Sequence, residues 1–307
     1  MLKPRALRPG DRVAVVAPAS PFERSEFDAG IAELERIGFQ PVFDETVFAR
    51  RSYLAGDAAL RADAFLAAWR DPSVAAVIAV RGGYGSVHLL PRLTVDDVRA
   101  SAKAFIGYSD LTSLHTFLTI DCGLVSVHGP MLDGRLSRGE AGYDRRSFLH
   151  CLTSPEPLGE MAPGELEVVR PGEVAGPLFG GTLAQLAASL GTPYAFRPPK
   201  GHVLFLEEVG ERPYRLDRML TQLRLSGILG AAAAIVVGEL PDCDESGGAL
   251  TGRAVVHELL REFEGPVLSG FPSGHTVGPL YTIPLGVRVR VVAGARPCLV
   301  FEEGAVW

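Results

Sequence analysis

Ala104-Phe105-Ile106-Gly107-Tyr108-Ser109-Asp110-Leu111 holds the end of one element and the start of the next, with almost no chain between them. Ala104 to Gly107 is a short apolar run that predicts a buried strand. Leu111, Leu114 and Leu118 then repeat at helical spacing, and His115 falls on the same face as a core histidine. The same unit recurs upstream. Val13 to Ala17 predicts a strand, followed by Ser20-Pro21-Phe22-Glu23, which reads as a capping box with proline at the first helical position. Phe27, Ile31 and Leu34 share one face of that helix, and Gly38 stops it. A second helix spans Asp57 to Arg70, with Leu60, Ala64, Ala67 and Ala68 on its apolar stripe and Pro72 beyond its end. Strands follow at Val74 to Val80 and at Leu124 to Val127. Strands apolar on both faces, alternating with helices, predict an α/β fold with a parallel sheet.

Residues 154–176 change character. Pro155, Pro157, Pro163 and Pro171 interrupt the pattern, which predicts a linker between an N-terminal domain, residues 1–153, and a C-terminal domain, residues 177–307. In the second part Gly180-Gly181-Thr182-Leu183 reads as a helix start. Strand Val203 to Leu206 runs into Glu207-Glu208. Helix Arg212 to Leu225 precedes strand Ala233 to Val237, helix Arg253 to Phe263 and two short strands near Val287 to Val292 and Cys298 to Phe301. A chain of 307 residues fits two domains at about 150 residues each.

Composition excludes several classes. Thirty Lys and Arg against 36 Asp and Glu leave a formal charge of −6, so there is no basic excess of the kind that nucleic acid or an anionic membrane would select. No apolar run reaches the roughly 18 residues of a membrane helix. Asp11 and Pro18 spoil the one signal-peptide-like feature, basic residues ahead of Val13 to Ala17. The cysteines, Cys122, Cys151, Cys243 and Cys298, form no C-x-x-C pair, which predicts a reduced, cytoplasmic chain.

Three places carry chemistry. A serine on a strand-to-helix turn, as Ser109 is in Gly107-Tyr108-Ser109-Asp110, either caps the helix or is lifted out as a nucleophile, although the second glycine of G-x-S-x-G is absent. Arg81-Gly82-Gly83-Tyr84-Gly85, after a strand, is either a tight turn or a loop that lets a ligand approach the backbone; its spacing fits neither a P-loop nor a dinucleotide fingerprint. His275, in Ser273-Gly274-His275-Thr276, is either a general base on a glycine-flexed loop or an ordinary loop residue, and the carboxylate of Glu207 or Glu208 is either its orienting acid or a helix N-terminal charge. His128 ends a strand and is either structural or near a site. The order Ser109, Glu207, His275 is also that of α/β-hydrolases.

The motifs Arg81 to Gly85, Ile106 to Asp110, His128-Gly129-Pro130-Met131, Gly180 to Leu183, Leu204 to Glu208, Tyr214 to Leu220 and Gly274-His275-Thr276 resemble, in order, those of the LD-carboxypeptidase family of serine peptidases. The resemblance runs from Pro9-Gly10-Asp11-Arg12 to Pro284-Leu285-Gly286, nearly the whole chain. That family also contains the microcin C immunity peptidases. The resemblance implies two α/β domains, the first flavodoxin-like, with the active site between them. It implies Ser109 as nucleophile, His275 as base, Glu207 as the acid that orients it, and backbone N–H groups of Asp110 and Gly83 as an oxyanion hole. Arg81 is either a partner for a substrate carboxylate or paired with an acidic side chain, and Tyr84 is a further substrate-binding candidate. Thr182 stands where the family more often has Asn, and Glu208 where it more often has Asp.

The activity implied is release of terminal D-alanine from a murein tetrapeptide, in cell-wall recycling, by a cytoplasmic homodimer with no cofactor. Cleavage of an aminoacyl-nucleotide analogue and silent binding of small peptides are the rival readings. An amidotransferase-like enzyme fits less well, because the turn carries serine and not cysteine. With no H-E-x-x-H and no C-x-x-C in the chain, activity is expected to survive EDTA; loss with chelator and recovery with zinc would overturn that expectation.

Overall fold

The computed structural model describes residues 1–164 and 166–307. Five strands, β1 (Arg12–Val16), β2 (Gln40–Val42), β3 (Val74–Ala79), β4 (Ala104–Gly107) and β5 (Ser126–His128), pair in parallel in the order β2-β1-β3-β4-β5. This is the flavodoxin-like order, in which ligands sit beyond the carboxyl ends of the strands. Helices α1 (Arg24–Arg36), α2 (Ala58–Arg70), α3 (Val95–Ala100) and α4 (Thr112–Thr116) make the crossovers, and α5 (Arg145–Thr153) follows the sheet.

Among the described residues the second sheet has eight strands. They are β6 (Gly159–Met161), β7 (Glu167–Arg170), β8 (Gly172–Thr182), β9 (His202–Glu207), β10 (Ala232–Gly238), β11 (Val267–Phe271), β13 (Arg288–Ala293) and β14 (Cys298–Phe301), in the order β6-β14-β13-β8-β9-β10-β11-β7. Between β11 and β13, β12 (Ile283–Leu285) crosses to the first sheet and pairs antiparallel with β5. In the second sheet β8, β9, β10 and β11 are parallel, with α6 (Leu183–Ser189), α7 (Pro213–Leu225), α8 (Ile228–Ala231) and α9 (Gly252–Leu260) between them. No helix among the described residues is long and apolar enough to cross a membrane.

Three expectations are corrected. The proline-rich stretch 154–176 is not free chain: it supplies β6, β7 and the start of β8, placed on the sheet by pairing with strands far along the sequence. Ser20 does not cap α1, which begins at Arg24 after Glu23; the Ser20 hydroxyl instead accepts from the Tyr84 N–H at 3.1 Å, and its N–H donates to Gly82. Helix α2 buries Ala62, Phe65, Leu66 and Trp69 and not the Leu60-Ala64-Ala67-Ala68 stripe. Both faces are apolar, and the larger side chains win because they bury more area. The alanine stripe instead lines a groove with Ala14, Val16 and Val42.

The two sheets share a core. Ile106 and Val127 from the first, Leu178 and Phe205 from the second and Ile283 from β12 belong to one continuous buried cluster. Strand β8 is 11 residues long; its first half pairs with β13 and its second half with β9, ending with Thr182 opposite Glu207. Gly180 sits in that second half at φ +147°, and a Cβ there would run into the Phe205 carbonyl oxygen. Gly180→Ala should therefore destabilise the fold by about 3 kcal/mol in urea denaturation. A loss below about 1 kcal/mol would show that β8 can shift without cost.

Candidate active site

Ser109 directly follows Tyr108 at the carboxyl end of β4 and has φ +64°, the left-handed conformation of a sharp strand-to-helix turn. Non-glycine residues pay for such a conformation, so surrounding contacts must enforce it. They do. Gly82 presents its backbone to the Ser109 side chain, and a Cβ on Gly82 would lie 2.9 Å from the Ser109 Cβ. Asp110, buried, accepts at its carboxylate from the Ser86 N–H at 2.8 Å, and its carbonyl accepts from the Ser86 hydroxyl at 2.7 Å. The glycine-rich loop is thus bolted to the turn. Asp110 also begins a helical stretch, where N–H groups lack intrahelical acceptors. Gly83 lies one residue further out, with Ser20 where its side chain would be.

Glu207 is the last residue of β9 and His275 follows β11, so both project from carboxyl ends of parallel strands in the second sheet. The His275 Nδ1–H donates to Glu207 Oε2 at 2.7 Å and its backbone N–H to the same oxygen at 2.8 Å. Thr182 donates its hydroxyl to Oε1. Burial alone would raise the Glu207 pKa, but the His275 imidazole, with help from His128 and Thr182, pulls it down to about 2. The reciprocal effect raises His275 above its ordinary value despite its own burial. With Nδ1 engaged, Nε2 is the nitrogen left to take a proton. Glycine is required at 274: φ is +86° and a Cβ would overlap the Glu207 carboxyl group.

The sheets meet here. The Thr182 N–H donates to Thr112 Oγ1 at 3.0 Å, and Gln185 donates to Asp110 at 3.2 Å, so the helix behind Ser109 abuts the helix start behind Thr182. The Tyr108 and His275 rings lie edge to face at 5.1 Å. The imidazole–carboxylate pair of the second sheet thus lies against the tyrosine that precedes Ser109 on the first. Arg81 is half-exposed and pairs with Asp133 at 3.2 Å, and Tyr84 is exposed.

The chain belongs to the LD-carboxypeptidase family. Its N-terminal domain model matches residues 13–129 and its C-terminal domain model residues 175–291. A Streptomyces coelicolor protein that carries a carboxypeptidase name is 39% identical over 95% of this chain and 94% of its own. The murein tetrapeptide carboxypeptidase of Pseudomonas aeruginosa is 35% identical over 86% and 88%. The microcin C7 self-immunity protein of Escherichia coli is 28% identical over 90% and 88%. Among solved structures, a muramoyltetrapeptide carboxypeptidase from Oxalobacter formigenes superposes with TM-score 0.84, at 30% identity over 96% of this chain and 99% of that one. A complex of the self-immunity protein with glutamyl sulfamoyl guanosine superposes with TM-score 0.90 at 24% identity over the full length of both chains.

Three further groups surround the site, of which only Arg61 escapes the sequence reading. His128 is fully buried, shares a hydrogen bond with Ser273 Oγ at 3.0 Å through Nδ1, and is pushed down to about 4 by burial. Arg61 caps the carbonyls of Pro18, Gly56 and Gly85. Glu208, beside the acid, accepts from the Ala184 N–H at 2.7 Å and so receives the start of α6. No local pattern marks Arg61, since Pro18 and Gly85 lie in separate loops, whereas their places at strand ends mark His128 and Glu208.

The pairing of His275 with Glu207 has a pH signature. His275 is raised in the folded state, so its contribution to stability is complete below the ordinary value of 6.5 and is lost as pH rises through the folded pKa. Urea unfolding between about pH 6 and 9 should show a steeper loss of stability in the wild type than in His275→Asn. Equal slopes would remove the linkage.

Proposed function

We propose that this chain is a serine LD-carboxypeptidase that releases terminal D-alanine from a murein tetrapeptide. The observation that supports the reading is the Glu207–His275 pair, whose imidazole packs edge to face on the tyrosine preceding a serine held at positive φ. Ser109 Oγ attacks the carbonyl carbon of the L–D peptide bond while His275 Nε2 takes its proton. The imidazolium then gives that proton to the leaving D-alanine nitrogen, and a water repeats the sequence on the acyl-enzyme. Glu207 fixes the tautomer and stabilises the imidazolium. Backbone N–H groups of Asp110 and Gly83 receive the oxyanion, and each such donor is typically worth about 3 kcal/mol.

Substrate class follows from what lines the approach. Arg81 adjoins Gly82, which touches Ser109, and it offers a guanidinium to the terminal carboxylate once Asp133 shares it. A nucleotide analogue needs an aromatic face for its base. Trp69 is wholly buried against Phe65, and Phe205 and Tyr108 are buried too, which leaves the exposed Tyr84, beside Tyr53, and the half-buried Tyr194. The relatedness to the self-immunity protein keeps cleavage of an aminoacyl sulfamoyl nucleotide as the second reading.

One set of assays decides. Mass spectrometry should show D-alanine released from murein tetrapeptide, little cleavage of its all-L isomer, and poor turnover of aminoacyl sulfamoyl adenosine. Ser109→Ala should abolish turnover with the fold intact. Glu207→Gln and His275→Ala should each cost orders of magnitude, with far less than additive losses when combined. An active Ser109→Ala variant sinks the serine mechanism. Comparable kcat/KM on the nucleotide analogue, with no D-alanine released, moves the chain to the second reading.

A further inference from the structure

Arg135 lies outside every motif singled out in the sequence, in the loop after β5, and is almost completely buried. Its guanidinium makes five hydrogen bonds. Nε donates to the Tyr108 hydroxyl at 3.3 Å. One terminal nitrogen donates to the carbonyls of Gly142 at 3.3 Å and Gly278 at 3.1 Å. The other donates to the carbonyls of Gly274 and Thr276, both at 3.1 Å. All five N–H donors of the side chain are therefore used, in the planar fork that only arginine has. No carboxylate is among these partners.

The choice of partners is informative. Gly274 and Thr276 flank His275, and Tyr108 immediately precedes Ser109. One rigid planar group thus touches both neighbours of the base and the neighbour of the nucleophile. The base loop belongs to the second sheet, whereas Tyr108 and Arg135 belong to the first part of the chain. Beyond the Glu207 bonds, the loop is otherwise tied by Ser273 to His128, again from the first part, and by the Val277 N–H to Glu239 at 2.8 Å.

We propose that Arg135 is a positioning residue that sets the distance between His275 and Ser109, by clamping the carbonyls on both sides of the base to the tyrosine that precedes the nucleophile. The proposal rests on the serine reading above. The geometry asks for the fork and not merely for a positive charge: a lysine ammonium has three donors on a flexible stem and cannot span carbonyls on both sides of His275 and the phenol together. Misplacement of a reacting group by about 1 Å is enough to cost on the order of 100-fold in rate. The Arg135 charge also opposes protonation of His275, against Glu207 and Glu208, which favour it. His128 and Tyr108 are the other titratable groups that face the ring.

Two variants separate fork from charge. Arg135→Lys should lower kcat on the tetrapeptide by about 10- to 100-fold, with KM within a few-fold of wild type and the acid limb of the kcat/KM profile in place. Arg135→Gln should lower kcat and also move that limb to higher pH, with the same displacement in the NMR titration of the His275 ring. A residue that served only overall stability would lower Tm and leave kcat per folded molecule and the acid limb unchanged. Wild-type kcat in folded Arg135→Lys, or an unmoved His275 titration in Arg135→Gln, overturns the proposal. Should neither fold, Tyr108→Phe deletes one arm of the clamp and keeps the ring; a several-fold loss of kcat is then expected, and a wild-type kcat overturns the assignment. Ser109→Ala run in parallel keeps the two questions apart. If it stays active, the serine reading fails, and the NMR titration still reads the clamp. If it is dead while the Arg135 variants behave as wild type, the clamp alone fails.

Discussion

Burying a carboxylate without loss of its charge is the constraint around which the site is built. Glu207 is almost wholly inaccessible and yet held well below the usual carboxylate range. An unpaired charge at that depth would cost several kcal/mol. Three donors remove the cost, and each dictates a piece of backbone. The Thr182 hydroxyl requires β8 to run to its last residue in register with β9. The two His275 donors require the chain after β11 to fold back onto the carboxylate, which Gly274 permits and a side chain there would prevent. Gly238, at the end of β10, gives the Glu207 stem its room, since a Cβ would sit 2.7 Å from the Glu207 Cβ. The glycines at 238 and 274 are therefore part of the acid's environment as much as its hydrogen-bond donors are.

Irregular loops around such a site leave carbonyl groups without regular partners, and buried carbonyls must be satisfied. Two buried arginines do this on the two sides. Arg61 takes carbonyls of the loops after β1 and β3, and Arg135 takes those around His275. Guanidinium suits the task because its donors are many, coplanar and weakly hydrated. Burial lowers the pKa of Arg61, while the Asp110 carboxylate counters that effect, so the clamp on the glycine-rich loop is electrostatically linked to the residue after Ser109. The loops around the candidate site are thus held by side chains from helix α2 and from the loop after β5, and not by secondary structure of their own.

Much of this was legible before any coordinates. The strand Ala104 to Gly107 and the turn after it read directly, because a doubly buried strand and a helix with no loop between them leave few alternatives. The candidate acid and base are proposed through motif resemblance more than through pattern, since a glutamate at a strand end or a histidine in a loop has many uses. What stayed hidden is non-local. Residues 154–176 look like a linker because prolines and glycines break their periodicity, yet edge strands tolerate both and take their partners from the end of the chain. Ser20 looked like a helix cap because local spacing cannot show that its partner is Tyr84. Helix α2 has two apolar faces, and only packing selects the one that carries Trp69. Arg135 has no local signature, since its meaning lies in carbonyls more than a hundred residues away.

The positive φ of Ser109 ties these pieces together. A serine in the left-handed region relaxes unless its neighbours forbid it. The Gly82 backbone packs against its side chain, Ser86 holds Asp110 on both its carboxylate and carbonyl, and Gln185 approaches Asp110 from the second sheet. The second-sheet contact is the telling one. If the turn were a local matter, the first sheet would suffice to hold it. Because a residue of α6 contributes, the elbow reaches its full set of contacts only when the two sheets are seated together, and the same seating brings Glu207 and His275 to it. On the proposed reading, the geometry of the serine and the placement of the histidine are in this way consequences of one packing event, the seating of β8, β9 and α6 against the helix that follows β4.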